Sequence, residues 1–541
     1  MALIDISAFQ GAKPVLEPHL LQPGEAHDAI NCRILSGGLA PFEGATQVQA
    51  LTLAGAQTIA RFGQTSYWFE FAGDVDCWEG PVPSDTESTT YFTGDGVPAM
   101  TYASIATSGS GTYPSNRYAL GIPAPTTSMN ATVTGTADPN DLNPESRAYV
   151  FTYVSARGEE GPPSLPTSIV DVYLNQSVAL SSIPTVPTGN YQIATKRIYR
   201  TASATGDTQY QFVAEIPASQ TTYTDSIATS ALGEVLPSSS WYPPPSAMIG
   251  LTKCENGVFA GFDGKTLCLS YPYLPHAWPP EYQITTNEPI VGLTAIQGGL
   301  IVSTTGRPEI VLFTDPAAAS RTIIDQTRPC VSKRSMVDMG QYAVYASPDG
   351  LVSVNTGGSA SLITYNVIDP YVWRTLSPST MRGYRLYDWY VCFYDNGTTQ
   401  GGFIITAQGG QFSWLDFYAD AGYSDPQTGR LYLVINNNIV EWDQDTANLL
   451  TYQWTSGDFL TGRLANAGAA RVDAESYPGS HDTTLVFELF ADGASVYSLQ
   501  VTSAEPFRLP GNYLARRFAV KLSGTRTVRR VLIGETVEEV A

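Results

Sequence analysis

The feature that most constrains this chain is a recurrence of hairpins in its second half. Residues 257–269 (GVFAGFDGKTLCL) read as an apolar strand, an Asp-Gly turn and a second strand. Asp-Gly between alternating apolar runs is a strong hairpin signal, because both residues tolerate the positive φ of a tight turn. Similar units follow at 299–313, 341–354, 388–405 and 431–442. Their first strands centre on Val258, Ile301, Ala343, Tyr390 and Tyr432, in steps of 43, 42, 47 and 42 residues. A recurrence of about 40–50 residues with several strands per unit is the sequence signature of propeller blades. A small sheet cannot bury both faces alone, so stacking such sheets around an axis completes the core. Residues 66–78 (SYWFEFAGDVDCW) read as an earlier unit displaced by an insertion. The expectation is an all-β chain built on a β-propeller of about six blades. A long sandwich or solenoid with evenly spaced hairpins is the competing architecture.

The insertion reads as a domain. Pro123, Pro125 and a Thr/Ser/Ala-rich run to Pro144 form a linker, and strands follow at 147–155, 194–201, 209–216 and 222–225. Short strands at this spacing predict a β-sandwich. The set resembles a fibronectin type III module, with Tyr153, Glu160, Tyr199 and Tyr210 in matching company. Residues 241–246 (WYPPPS) predict a stiff exit linker. Beyond the last hairpin, strands at 448–456, 484–490, 495–501 and 517–522, with a turn at Asp492-Gly493, predict a second small sandwich. The expected division is 1–125 (N-terminal segment and first propeller part), 126–245 (inserted sandwich), 246–450 (remaining blades) and 451–541 (C-terminal β-rich docking domain).

Composition agrees with strands. Only 15% of the 541 residues are charged, while Gly (48), Pro (37) and Tyr (31) are abundant. Helix-rich chains of this size carry far more Lys, Glu and Arg. The net charge is −21, from 29 basic and 50 acidic residues. Gripping nucleic acid requires a basic stripe that neutralises phosphates, so ordinary DNA binding is excluded, while a wall past which DNA slides is not. The six cysteines (Cys32, Cys77, Cys254, Cys268, Cys330, Cys392) form no C-x-x-C pair and read as free thiols made in a reducing cytoplasm. The first ten residues lack the pattern of a signal peptide, and no run of 18 apolar residues occurs.

Several segments resemble phage tail proteins. They are 21–33 (LQPGEAHDAINCR), 38–41 (GLAP), 270–279 (SYPYLPHAWP) with 290–293, and 328–339 (RPCVSKRSMVDM) running into 345–352. Residues 373–381 (WRTLSPSTM), 452–454 and 507–513 (FRLPGNY) complete the set. Together they span most of the chain and resemble the nozzle, or tail tubular protein B, family of short-tailed bacteriophages. The resemblance implies a propeller carrying inserted domains. It also implies a homohexameric ring that joins the tail adaptor and other tail proteins, and a lumen that conducts genomic DNA during ejection without specific binding. It places the protein in the virion tail, made in the host cytoplasm.

The sequence carries few groups spaced for catalysis or metal binding. The four histidines, His19, His27, His276 and His481, lie in separate regions, and no G-x-S-x-G elbow accompanies them. A glycosidase needs two carboxylates across the scissile bond; Asp349, Asp395, Asp425 and Asp443 are the turn-proximal candidates. Residues 347–350 (SPDG) match part of a sialidase Asp-box, but Val354 stands where an aromatic is expected. Asp443, Asp445 and Asn448 offer three oxygens without the glycine and terminal Glu of an EF-hand loop. Trp68, Trp373, Trp389, Trp414 and Trp442 recur on strands and read as core. The basic residues Arg328, Lys333 and Arg334, and Arg516, Arg517, Arg526, Arg529 and Arg530, stand out in an acidic chain. They are the candidate intersubunit contacts, with Glu535, Glu538 and Glu539 as complementary charge on a neighbouring copy. The sequence thus predicts a non-enzymatic structural subunit without cofactor or metal. The alternative is a carbohydrate-binding or carbohydrate-degrading propeller protein of the tail.

Overall fold

The structure is a computed structural model and describes residues 3–35, 37–202, 209–406, 410–475 and 484–541. Strands dominate it. The α-helices among the described residues are two short ones, Ala103–Ala106 and Pro370–Thr375. Most sheets are small antiparallel meanders whose strands follow one another in sequence.

Seven such units can be followed along the chain. Unit 1 is the hairpin Thr58–Arg61 with Trp68–Phe71. Unit 2 has four strands, Asp76–Glu79, Thr90–Thr93, Ala99–Thr101 and Tyr118–Ala119. Unit 3 starts at Ile249–Lys253, unit 4 at Ile290–Ile296, unit 5 at Val337–Asp338 and unit 6 at Arg382–Leu386, each a four-stranded meander. Unit 7 takes three strands from Ala421–Ser424, Leu431–Ile435 and Asn438–Leu449. Its fourth strand, Glu43–Ala50, comes from the other end of the chain and pairs antiparallel with Asn438–Leu449.

Consecutive units pack through shared apolar clusters. Phe71 and Phe92 join units 1 and 2, with ring centroids 5.4 Å apart. Leu251, Phe259 and Tyr91 join units 2 and 3, and Phe262 with Leu300 joins units 3 and 4. Ile301 with Tyr345, then Val344 with Tyr390, then Phe393 with Leu433 continue through units 4 to 7. Tyr432 of unit 7 packs on Trp68 of unit 1, with centroids 4.8 Å apart. The series of contacts therefore returns to its start. The β-branched and aromatic residues that alternate along these strands supply both faces of each sheet, which is why the middle strands of units 4 and 5, Gly299–Thr304 and Tyr342–Ser347, are buried almost throughout. Turn chemistry fits the hairpins: Asn436 and Asn437 both take positive φ between Ile435 and its partner Asn438.

Two other bodies interrupt or flank this series. Between units 2 and 3, sheets Asn130–Thr134/Ser177–Ser181/Tyr223–Asp225 and Tyr149–Ser155/Ile193–Ala202/Gln209–Pro217 pair only among themselves and enclose one core around Tyr149, Phe151, Val178 and Ile198. A buried hub fixes them: Asp225 accepts from the Tyr149 hydroxyl at 2.8 Å and pairs with the fully buried Arg200. The insert rests on unit 2, where Gln192 donates to the Tyr102 hydroxyl at 2.8 Å and the Arg157 guanidinium lies 4.4 Å from that ring.

The other body is made from both ends of the chain. Ile4–Ile6, Cys32–Leu35 and Gly38–Pro41 join Ala469–Ala474, Phe507–Arg508 and Val528–Gly534 in one sheet. Ala26–Ile30 lies between unit 6 and Tyr452–Ser456 in another. Strands within residues 4–41, expected in one stretch with the first hairpins (1–125), pair with strands beyond residue 451 and with unit 6. Period-2 patterning shows that a segment is a strand and leaves its distant partner open. The packing supplies the reason, since Trp454 is buried against Phe9 with ring centroids 5.0 Å apart and donates to the Gln10 carbonyl at 3.0 Å.

Candidate functional site: the basic clusters and a polar hub

Lys333 and Arg334 sit on the short 3-10 turn Lys333–Ser335 that leads into unit 5. That turn directs both side chains to the first strands of units 1 and 2. Lys333 Nζ lies 2.6 Å from Asp76 and 3.0 Å from Asp74, and Arg334 Nε lies 3.2 Å from Asp74. Arg334 also donates to the Gln57 carbonyl and to Thr58 Oγ1. Asp76 accepts in addition from the Gly250 N–H of unit 3 at 3.0 Å, and the Tyr390 hydroxyl of unit 6 donates to the Ser335 carbonyl at 2.8 Å. Five units thus meet in one polar hub. Burial, reinforced by the neighbouring Asp74 charge and opposed by Lys333, pushes the Asp76 carboxyl above its usual range. These two basic residues bind within their own chain; Asp74 and Asp76, which complete the hub, carried no local signal in the sequence.

Arg328 stands apart from that hub. Its carbonyl accepts from the Tyr345 hydroxyl at 2.7 Å, and its buried Nε has no hydrogen-bond partner among the described residues.

The C-terminal basic cluster is spread over two sheets. Arg529 pairs with Glu475 at 2.6 Å, and Arg530 makes a two-pronged contact with Asp5 at 2.7 and 2.9 Å. Arg517 lies 3.7 Å from Asp458. Arg516 is exposed; its backbone N–H donates to Asp492 and its carbonyl accepts from the Thr461 hydroxyl. Arg526 is buried, its carbonyl accepting from the Tyr452 hydroxyl. Of the expected acidic complement, Glu535 pairs with Arg463 at 2.8 Å and Glu539 accepts the Glu535 N–H, both inside the chain.

The residues weighed for catalysis do not converge. His19 and His27 are exposed, the latter on a shallow cavity of about 160 Å³ shared with Pro18, Ser456, Asp458 and Arg517. His276 is buried against Trp241, its Nε2 unpartnered, and burial pushes its pKa down to about 4. His481 lies outside the described residues. Asp349 pairs with Arg374, Asp425 with Arg61, and Asp443 with Arg33, while Asp395 caps its own turn through the Gly397 N–H. No three His, Cys, Asp or Glu side chains stand where they could share a metal ion among the described residues. Burial raises the thiol pKa of all six cysteines. Trp68, Trp373, Trp389 and Trp442 are buried, and Trp414 is partly so. Among the described residues, no helix is long and apolar enough to cross a membrane.

No protein-family profile matches the chain, and neither does any curated protein. Among solved structures, similarity extends to the extracellular domain of a putative one-component system, BT4673, from B. thetaiotaomicron. Identity there is 9% and the TM-score 0.27, with 69% of this chain and 48% of that one covered. The chain thus spans about half the length of that protein. The dihydro-heme d1 dehydrogenase NirN matches at 12% identity and TM-score 0.27, over 72% of this chain and 79% of that one. PorZ, a surface component of the type-IX secretion system of Porphyromonas gingivalis, matches at 10% identity and TM-score 0.26, over 86% and 67%.

Proposed function

We propose that this chain is a structural subunit of a bacteriophage tail, a nozzle-type ring component that forms the conduit for genome ejection. The seven units form one propeller in this reading, with the hairpin of unit 1 as a reduced blade. The expectation of about six blades took residues 66–78 as one unit, whereas this reading divides them between units 1 and 2 and counts one blade more. Residues 126–245 act as an inserted sandwich that widens contact with neighbours, and the body built from residues 4–41 and 451–541 docks onto the tail.

The observation that carries the proposal is the closure of the series. A strand from one end of the chain completes the last unit, so the scaffold cannot splay without losing a whole strand pairing. Such a disc is stiff, and Lys333, Arg334, Asp74 and Asp76 tie its units together. The segments that resemble tail proteins and the net charge of −21, which suits a non-adhesive wall for a polyanion, support the same reading. The proposal is non-enzymatic, without cofactor or metal.

Immunogold labelling of purified short-tailed virions with antibody to this chain tests the proposal. Label confined to the tail is expected. Absence of label from intact and tail-disrupted virions would contradict it, and so would release of oligosaccharide from host polysaccharide by the purified protein.

A further inference from the structure

Two exposed apolar patches of opposite charge lie on different bodies of the molecule. The first is on the insert, along the edge strand Val170–Val172, which pairs on one side only, with Glu145–Arg147. Leu142, Ile169 and Leu174 are 83%, 71% and 62% exposed there. The Leu174 N–H donates to Asp141, which holds the loop bearing Leu142 beside it. The charged side chains on this edge are Asp138, Asp141, Asp171 and Glu145. The one base nearby, Arg147, is buried and already engages Glu145 and Asp225.

The second patch is on the terminal body, along Phe459–Ala465, an edge strand paired on one side with Ala515–Gly524. Leu460, Leu464 and Leu514 are 63%, 53% and 62% exposed. Arg463, Arg516 and Arg517 lie on this strand or its partner, Arg463 paired with Glu535 and Arg517 3.7 Å from Asp458, and Arg508 lies exposed on the other sheet of the same body. Arg508 and Arg516 have no carboxylate partner among the described residues, whereas most other arginines of this acidic chain have one. Isolated exposed leucines need no explanation. Three large aliphatic side chains at a strand edge paired on one side, repeated at a second edge with the opposite charge, describe the two halves of an interface.

We infer that the acidic Leu142–Ile169–Leu174 edge of one copy docks on the basic Leu460–Leu464–Leu514 edge of a second copy. The contact is heterologous, because the two surfaces differ and lie on bodies whose strands do not pair with each other. A bound pair therefore keeps one free surface of each kind, and the chain of contacts ends only by closing into a ring. Charge sets the register and the approach, and the leucines supply the buried area. This inference rests on the ring-subunit reading and names the surfaces that build the ring.

Charge reversal on each edge tests it, with sedimentation velocity of the full chain over a concentration series. The variants are Asp138→Lys/Asp171→Lys on the insert and Arg508→Glu/Arg516→Glu on the terminal body. These side chains are partly or fully exposed, and far-UV circular dichroism checks that the fold persists. Each double variant alone should self-associate at least tenfold more weakly than the wild type. An equimolar mixture of the two should recover association, because both contacts are then between opposite charges. High salt should weaken the wild-type contact. If the wild type forms rings and both variants form them equally well, the surfaces are wrong while the ring reading stands. Should the wild type remain monomeric, Leu174→Cys/Leu460→Cys treated with a bismaleimide decides. A covalent ladder beyond that of the single-cysteine parents supports the contact, and none overturns it. The virion labelling above judges the tail reading separately.

Discussion

Lys333→Met removes the charge at the polar hub and keeps most of the side-chain volume. The Lys333 side chain is 17% exposed, against 24% for Asp76 and 37% for Asp74. Removing one partner of a fully buried ion pair costs about 3–5 kcal/mol, because the other charge is left stranded. Partial exposure and the remaining contact of Arg334 with Asp74 discount that figure to about 2–3 kcal/mol. A chain with several bodies has no single unfolding free energy, so the readout is amide hydrogen exchange in residues 57–61 and 74–79. Protection there should fall roughly 25- to 150-fold at neutral pH. The pH dependence has a definite sign. Burial already holds the Asp76 carboxyl above its usual value, and loss of Lys333 raises it further. A carboxyl raised in the folded state stabilises below its unfolded pKa, near 4, and that stability is lost as pH rises through the folded value. The deficit should therefore be small at about pH 4 and grow towards neutrality. Lys333→Met/Asp76→Asn should recover most of it. A deficit that is absent at neutral pH, or equal at all pH values, would refute the hub as the tie between units.

Four further outcomes follow from particular contacts. Ala45→Pro, in the strand that pairs with Asn438–Leu449, should cost about 3 kcal/mol locally and expose the last unit to limited proteolysis, while an unchanged digestion pattern would deny that this strand closes the series. Asp225→Ala strands the buried Arg200 and should cost about 3–5 kcal/mol; exchange should speed in residues 147–155 and 195–202 and stay unchanged in units 4 and 5 if the insert is a separate cooperative body. Gly121 has φ +83°, and a Cβ there would lie 2.7 Å from Pro243 Cα and 2.9 Å from the His276 carbonyl; Gly121→Val should therefore cost about 2–4 kcal/mol, seen as lost protection on both linkers of the insert. His276, held neutral with its pKa pushed down to about 4, binds a proton more readily unfolded. Its stabilising effect should be whole above about pH 6.5 and fall by about 3 kcal/mol by pH 4, and a His276→Gln thermal profile should lack that slope.

Local chemistry was legible in the sequence, and long-range pairing was not. The five regular hairpins appear where period-2 alternation and turn residues place them. In the first hairpin the turn sits one residue later than Asp263-Gly264, because Asp263 pairs with Thr266 and leaves Gly264 and Lys265 to turn. The strands at 4–41 were hidden for a different reason. Cys32–Leu35 and Gly38–Pro41 pair as a local hairpin, but the other partners of these strands lie between Trp414 and Ile533, and an alternating pattern fits any half-buried edge. The same holds for Lys333 and Arg334, which stood out as unexplained charge only because Asp74 and Asp76 are distant in the chain. An acidic composition made every base look available for a neighbour, and folding satisfies most of them internally. Arg508 and Arg516 are among those left over, and only the folded chain distinguishes them from Arg529 and Arg530.

The central claim is that the closed series of sheets is a stiff building block for a ring. Single-particle electron cryo-microscopy of the purified full chain, at concentrations where it associates, tests that claim most directly. The account predicts rotationally symmetric particles around an open lumen, each subunit a seven-sector disc carrying the insert on its flank. Particles with no rotational symmetry, or subunits whose sheets stack in a line, would contradict it.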